Sequence, residues 1–85
     1  MTKYELVVRP SVGKDTKEIP SKDLKKILQK IEALCDKPHP LGSVKLSGLE
    51  YYRIRQGDYK IIYEIEDTRL IVAVIKIGHR RKVYH

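Results

Sequence analysis

At residue 51 the hydrophobic pattern of this 85-residue chain changes period, and that change limits the folds open to it. Before it, Leu24, Ile27, Leu28, Ile31 and Leu34 recur at three- and four-residue spacing. They form the apolar stripe of an amphipathic helix, with Lys22, Lys25, Lys26, Gln29, Lys30 and Glu32 on the solvent side. After it, residues 51–56, 59–66 and 69–77 alternate with a period of two and read as strands. Gly57-Asp58 and Asp67-Thr68 stand between these runs as two-residue turns, which makes consecutive hairpins. A helical stripe followed by a meander needs one apolar sheet face for the helix to cover.

The segment before the helix completes the order. Residues 4–8 are apolar and β-branched and end at Arg9-Pro10, a first strand closed by proline. Ser11 is placed to cap a short helix running to about Ile19, with Val12, Thr16 and Ile19 on one side. Pro20-Ser21 interrupts it and starts the long helix. Lys37-Pro38-His39-Pro40 ends that helix, and Gly42 and Gly48 mark a loop. The predicted fold is α+β in the order βααβββ. It is one domain over residues 1–85, with a mainly antiparallel sheet and two helices on one face.

The tight turn at Gly57-Asp58 fixes which side chains share a face. It pairs Gln56 with Tyr59, Arg55 with Lys60, Ile54 with Ile61, Arg53 with Ile62 and Tyr52 with Tyr63. Because side chains alternate along a strand, Tyr52, Ile54, Ile61, Tyr63 and Ile65 form the bed for the helices. Arg53, Arg55, Lys60 and Ile62 take the opposite face. The same count across Asp67-Thr68 sets Leu70 beside Ile65, Val72 beside Tyr63 and Val74 beside Ile61 on the core face. Ala73 then lies beside Ile62, and Ile75 beside Lys60. The last strand runs out at Gly78 near the first turn, where His79, Arg80, Arg81 and Lys82 follow.

Charge gives this arrangement a direction. Eighteen Lys and Arg against eleven Asp and Glu leave a formal net charge of +7, a surplus that suits a polyanionic partner. Arg55 opposite Lys60 is a like-charge cross-strand pair, which destabilises a sheet. A bound anion would remove that cost; a solvated basic face would carry it at a smaller one. Cys35 is the only cysteine, so no internal disulfide forms, and no Cys/His set has metal-ligand spacing. With neither an apolar leader nor a run of membrane-spanning length, the expectation is a cytoplasmic protein without a membrane partner.

Two stretches resemble a known family. Tyr51-Tyr52-Arg53-Ile54-Arg55-Gln56-Gly57-Asp58-Tyr59-Lys60-Ile61-Ile62-Tyr63 is similar to the second hairpin of RelE-type toxins. Ile77-Gly78-His79-Arg80-Arg81-Lys82-Val83-Tyr84 is similar to that family's Gly-His-Arg-x-x-Val-Tyr tail. The resemblance covers essentially the whole chain. It implies a toxin of a type II toxin–antitoxin pair that cleaves translated mRNA on the ribosome, without a metal or other cofactor. Its partners would be a cognate antitoxin, the ribosome and mRNA. Two alternatives stay open: inhibition of DNA gyrase, as in the ParE branch, which shares the fold, and a non-catalytic binding subunit.

Carried over by position, the resemblance assigns Arg53, Arg55 and Lys60 to the phosphate. Arg80 becomes a further phosphate clamp or the leaving-group stabiliser, and Tyr84 the base or a base-stacking platform. Lys45, His79, Arg81 and Lys82 are expected to contact RNA, and His79 is a second candidate for the base. The family archetype has lysines where this chain has Arg53 and Arg55, and arginine cannot act as a base at ordinary pH. The spacing from Gly78 to Tyr84 is also shorter than in the archetype. Tyr52 and Tyr63 read as core, Cys35 as a packing residue, and Glu66 with Arg69 as a local ion pair.

Overall fold

The computed structural model describes residues 4–46 and 51–79. The order is β1 (Glu5–Val8), α1 (Pro10–Lys17), α2 (Ser21–Asp36), β2 (Val44–Lys45), β3 (Tyr51–Gln56), β4 (Tyr59–Glu66) and β5 (Ile71–His79). The strands form one five-stranded sheet in the order β1-β5-β4-β3-β2. Every pairing is antiparallel except that of β1 with β5, which is parallel. The two α-helices make the connection that returns the chain to the same sheet. This is the α+β fold expected, with one strand more: the two-residue β2 lies where the sequence marks a loop.

Helix α2 buries Ile27, Ile31, Leu34 and Cys35 against Ile54, Ile61, Tyr63, Val72, Val74 and Ile77. Each fully buried aliphatic side chain contributes about 1.5–3 kcal/mol. Leu28, assigned to the apolar stripe, stays 48% exposed because the sheet accepts only the face centred on Ile27 and Ile31. Tyr63 is fully buried; its hydroxyl donates 2.9 Å to the Pro38 carbonyl and its ring stacks on Tyr52 at 5.8 Å. The loop after α2 is thereby tied to the centre of the sheet. Burial raises the Tyr63 phenol above its ordinary pKa, and burial likewise raises the Cys35 thiol.

Helix α1 starts two residues earlier than expected, at Pro10, and ends at Lys17. Arg9 is the N-cap and caps with no side-chain hydrogen bond, while Pro10 opens the helix where its missing N–H costs nothing. The Ser11 hydroxyl is therefore not a cap. It donates 3.4 Å to the Ile75 carbonyl of β5.

The first hairpin has the predicted register at every pair, Gln56 with Tyr59 through Tyr52 with Tyr63. Gly57 has φ 61° at the first turn position, the pattern of a type II′ turn. The second hairpin departs from the expected register in two ways. Its turn spans residues 67–70, so Ile65 pairs with Val72 and Tyr63 with Val74, two residues further along than predicted. Leu70 lies in the turn at φ 53°, 47% exposed, and not on the core face. Contacts distant in sequence hold the longer turn. Glu5 N–H donates 2.7 Å to the Leu70 carbonyl, and the Tyr4 hydroxyl donates 2.7 Å to Asp67. Within the turn, Arg69 forms the expected ion pair with Glu66 at 2.7 Å.

The second departure is a β-bulge. Tyr63 pairs with Val74 but Ile62 pairs with Lys76, so Ile75 is an extra residue in β5. Beyond it Ile61 pairs with Ile77 and Lys60 with Gly78. The expected neighbour of Lys60, Ile75, is thus replaced by glycine, and Ile77 takes the core position. Among the described residues no helix is long and apolar enough to cross a membrane.

Candidate functional site

The helix-free side of the sheet follows from these registers. Strand alternation puts Arg53 and Arg55 of β3, Lys60 and Ile62 of β4, and Lys76 and Gly78 of β5 on the side opposite the buried Ile54, Ile61 and Ile77. Arg55 sits directly across from Lys60, and Arg53 lies two residues, about 7 Å, along the same strand. Lys76 is next to Ile62, diagonal to Lys60 at about 7–8 Å.

Lys60 is the one charged side chain of this group that is buried, at 2% exposure, although it lies on the face without helices. Gly78 beside it adds no side chain, which leaves the strand open to close approach. Among the described residues no buried side-chain nitrogen or oxygen lacks a hydrogen-bond partner. Two carboxylates of β4 share this face by register, and each is engaged by an arginine from outside the group. Glu64 lies 3.7 Å from Arg9, and Glu66 lies 2.7 Å from Arg69. Among the described residues, the side chains that register places at the end of this face nearer the Gly57-Asp58 turn include Arg53, Arg55, Lys60 and Lys76.

The other predicted site residues are placed as follows. Lys45 pairs with Tyr52 at the sheet edge, so its register puts it on the helix side, away from Arg53 and Arg55. His79 ends β5 opposite Tyr59, with the two rings edge to face at 5.2 Å. Alternation sets this pair on the helix side too, next to the cationic end but not within the cluster. Arg80, Arg81, Lys82 and Tyr84 lie outside the described residues. Among the described residues there is no group of three His, Cys, Asp or Glu able to hold a metal ion.

Lys76 was not among the expected site residues, because uniform alternation from Val72 and Val74 would turn it under the helices. A lysine at such a position was itself the available signal: only an extra residue in the strand returns it to solvent. The structure meets that requirement with the bulge at Ile75. The backbone groups freed there are taken by α1, with Ile77 N–H donating 3.2 Å to the Asp15 carboxylate and Ser11 donating to the Ile75 carbonyl.

A five-stranded, mostly antiparallel sheet with two helices matches the fold of RelE toxins. The RelE subunit of the RelE–RelB complex from Pyrococcus horikoshii superposes with a TM-score of 0.83 at 26% identity, over 96% of this chain and 99% of that one. A RelE-type toxin of Methanocaldococcus jannaschii is 30% identical over 96% of both chains. The RelE toxin of Mycobacterium tuberculosis is 32% identical over 75% of this chain and 76% of its own. The family model for the ParE toxin of the type II toxin–antitoxin system parDE matches residues 6–84. The chain belongs to this RelE/ParE family of toxins and is RelE-like.

Proposed function

We propose that this toxin is an endoribonuclease that cleaves translated mRNA on the ribosome, using cations of its own in place of a metal. The observation that carries the reading is the placement of Arg53, Arg55 and Lys60 together on the helix-free sheet face, with Arg55 directly opposite the buried Lys60. Cleavage of RNA through its 2′-hydroxyl builds negative charge on a pentacoordinate phosphorus. Preorganised cations aimed at that charge are the largest single source of acceleration available to such a site. Arg53 and Arg55 offer planar donors that suit two phosphate oxygens at once. Lys60, held in the sheet, places a compact charge beside them. Arg80 and Tyr84 complete the proposal as leaving-group stabiliser and as base or stacking platform.

The partners follow from the same chemistry. The antitoxin would be an acidic or amphipathic segment that covers the basic face or the helices, and the place of action would be the cytoplasm. The solved relative from Pyrococcus horikoshii is a complex of RelE with RelB, which supports a protein partner of that kind. A second reading has its own support. The matching family model is that of the ParE toxin, the branch associated above with gyrase inhibition. One experiment separates them: the purified chain is given translating ribosomes in the presence of a chelator and, in parallel, gyrase with relaxed plasmid. Truncated mRNA with normal supercoiling supports the nuclease. Intact mRNA with blocked supercoiling overturns it in favour of the second reading.

A further inference from the structure

We propose that Lys76 contacts a second phosphate of the bound RNA, and that α1 places it there by holding the β5 bulge. The inference rests on the RNA-directed reading of the sheet face and extends it to a residue and a device outside the expected site.

Without the extra residue at Ile75, Lys76 would share the side of Val74 and point under the helices. With it, Lys76 faces Ile62 from β5 while Arg53 faces Ile62 from β3. The row Arg53–Ile62–Lys76 sets two cations about 10 Å apart, on either side of a partly buried apolar floor. Arg55 and Lys60 form the next row toward the turn. A single-stranded polynucleotide suits this layout. One phosphate meets Arg53, Arg55 and Lys60, a neighbouring phosphate meets Lys76, and the ribose or base between them rests on Ile62.

The bulge is not held by the sheet ladder alone. The Asp15 carboxylate of α1 accepts the Ile77 N–H at 3.2 Å, two residues past the extra position, and Ser11 donates to the Ile75 carbonyl at 3.4 Å. Both contacts span more than sixty residues of sequence. Asp15 is therefore a positioning residue: it touches no ligand and acts through the direction of Lys76.

The test is equilibrium binding of the full chain to a short single-stranded 2′-O-methyl RNA, which cannot be cleaved through its 2′ position, between about 50 and 200 mM salt. Lys76→Gln should weaken binding equally for oligomers of different sequence and reduce the slope of log affinity against log salt by about 0.7, the release of roughly one counterion. Lys25→Gln, on the solvent side of α2, should leave the slope unchanged. Asp15→Ala, which removes the acceptor of the Ile77 N–H, should reproduce the lost slope, and combining it with Lys76→Gln should lose no more than Lys76→Gln alone. An additive double variant overturns the role of Asp15. If Arg53→Gln lowers the slope and Lys76→Gln does not, the inference is overturned while the RNA reading stands. If the unmodified chain shows no salt-dependent binding, both fall together. Lys76 is exposed, so its substitution tests contact without threatening the fold.

Discussion

Reversing one charge should make this protein more stable and less able to bind RNA. Arg55 faces Lys60 directly across β3 and β4, and Lys60 is only 2% exposed. A like-charge pair in that position costs about 0.2–1 kcal/mol, and an opposite-charge pair gains a similar amount. Arg55→Glu should therefore stabilise the fold by about 1 kcal/mol. For a chain of this length that raises the melting temperature by about 4–8 °C. Arg55→Gln, which removes the repulsion without adding attraction, should fall between the two. Thermal unfolding at low salt reads the effect directly. At about 1 M salt the screening length drops to about 3 Å, and the difference should shrink, though only in part, because the buried Lys60 is screened less than an exposed charge. The same substitution should abolish RNA binding, so that stability and binding move in opposite directions, as expected where a site is built at the expense of the fold. If Arg55→Glu melts at or below the temperature of the unmodified chain at low salt, or if its advantage is independent of salt, the like-charge argument is refuted.

Four further outcomes follow. Tyr63→Phe removes the buried hydrogen bond to the Pro38 carbonyl and should cost about 1–2 kcal/mol by urea unfolding; a neutral result would show that the loop is not tied through this hydroxyl. The Tyr63 phenol is raised above its ordinary 10.0 chiefly by burial, so it favours the fold while protonated. That contribution is complete below pH 10 and is lost as pH rises through the folded value. Stability should fall above pH 10 less steeply in Tyr63→Phe than in the unmodified chain. At Leu70, φ 53° disfavours β-branched residues most, so Leu70→Val should lose about 1 kcal/mol while Leu70→Gly should not; equal melting of the two would remove the strain argument. Cys35 is 5% exposed with a raised pKa, so a thiol reagent at neutral pH should modify it only at the rate of unfolding, and rapid labelling of the folded chain would contradict the packing assignment.

Much of the site was legible in the sequence because one hairpin is local. The Gly57-Asp58 turn fixes its own register, and alternation then assigns Arg53, Arg55 and Lys60 to a common face without knowledge of the rest of the fold. The second hairpin departs from its sequence pattern because its turn is set from elsewhere. Glu5 and Tyr4 of the N-terminal segment hold residues 67–70 in a longer loop, and no glycine marks the left-handed position at Leu70. The bulge was missed for the same kind of reason, since Asp15 and Ser11 stabilise it from another element. Its trace in the sequence was the lysine at an apparent core position. The parallel pairing of β1 with β5 leaves no local signature, and β2 is too short to show a period. The burial of Lys60 could not have been read at all, because alternation gives the side of a sheet and not its cover.

The claim on which the account depends is that the helix-free face acts on RNA. Mapping of new RNA 5′ ends after induced expression tests it most directly, with the unmodified chain compared against an Arg53→Ala, Arg55→Ala, Lys60→Ala variant shown to be folded. The expected result is growth arrest with new 5′ ends inside translated regions, both lost in the variant. Growth arrest with intact messages, or 5′ ends that persist unchanged in the folded variant, would contradict it.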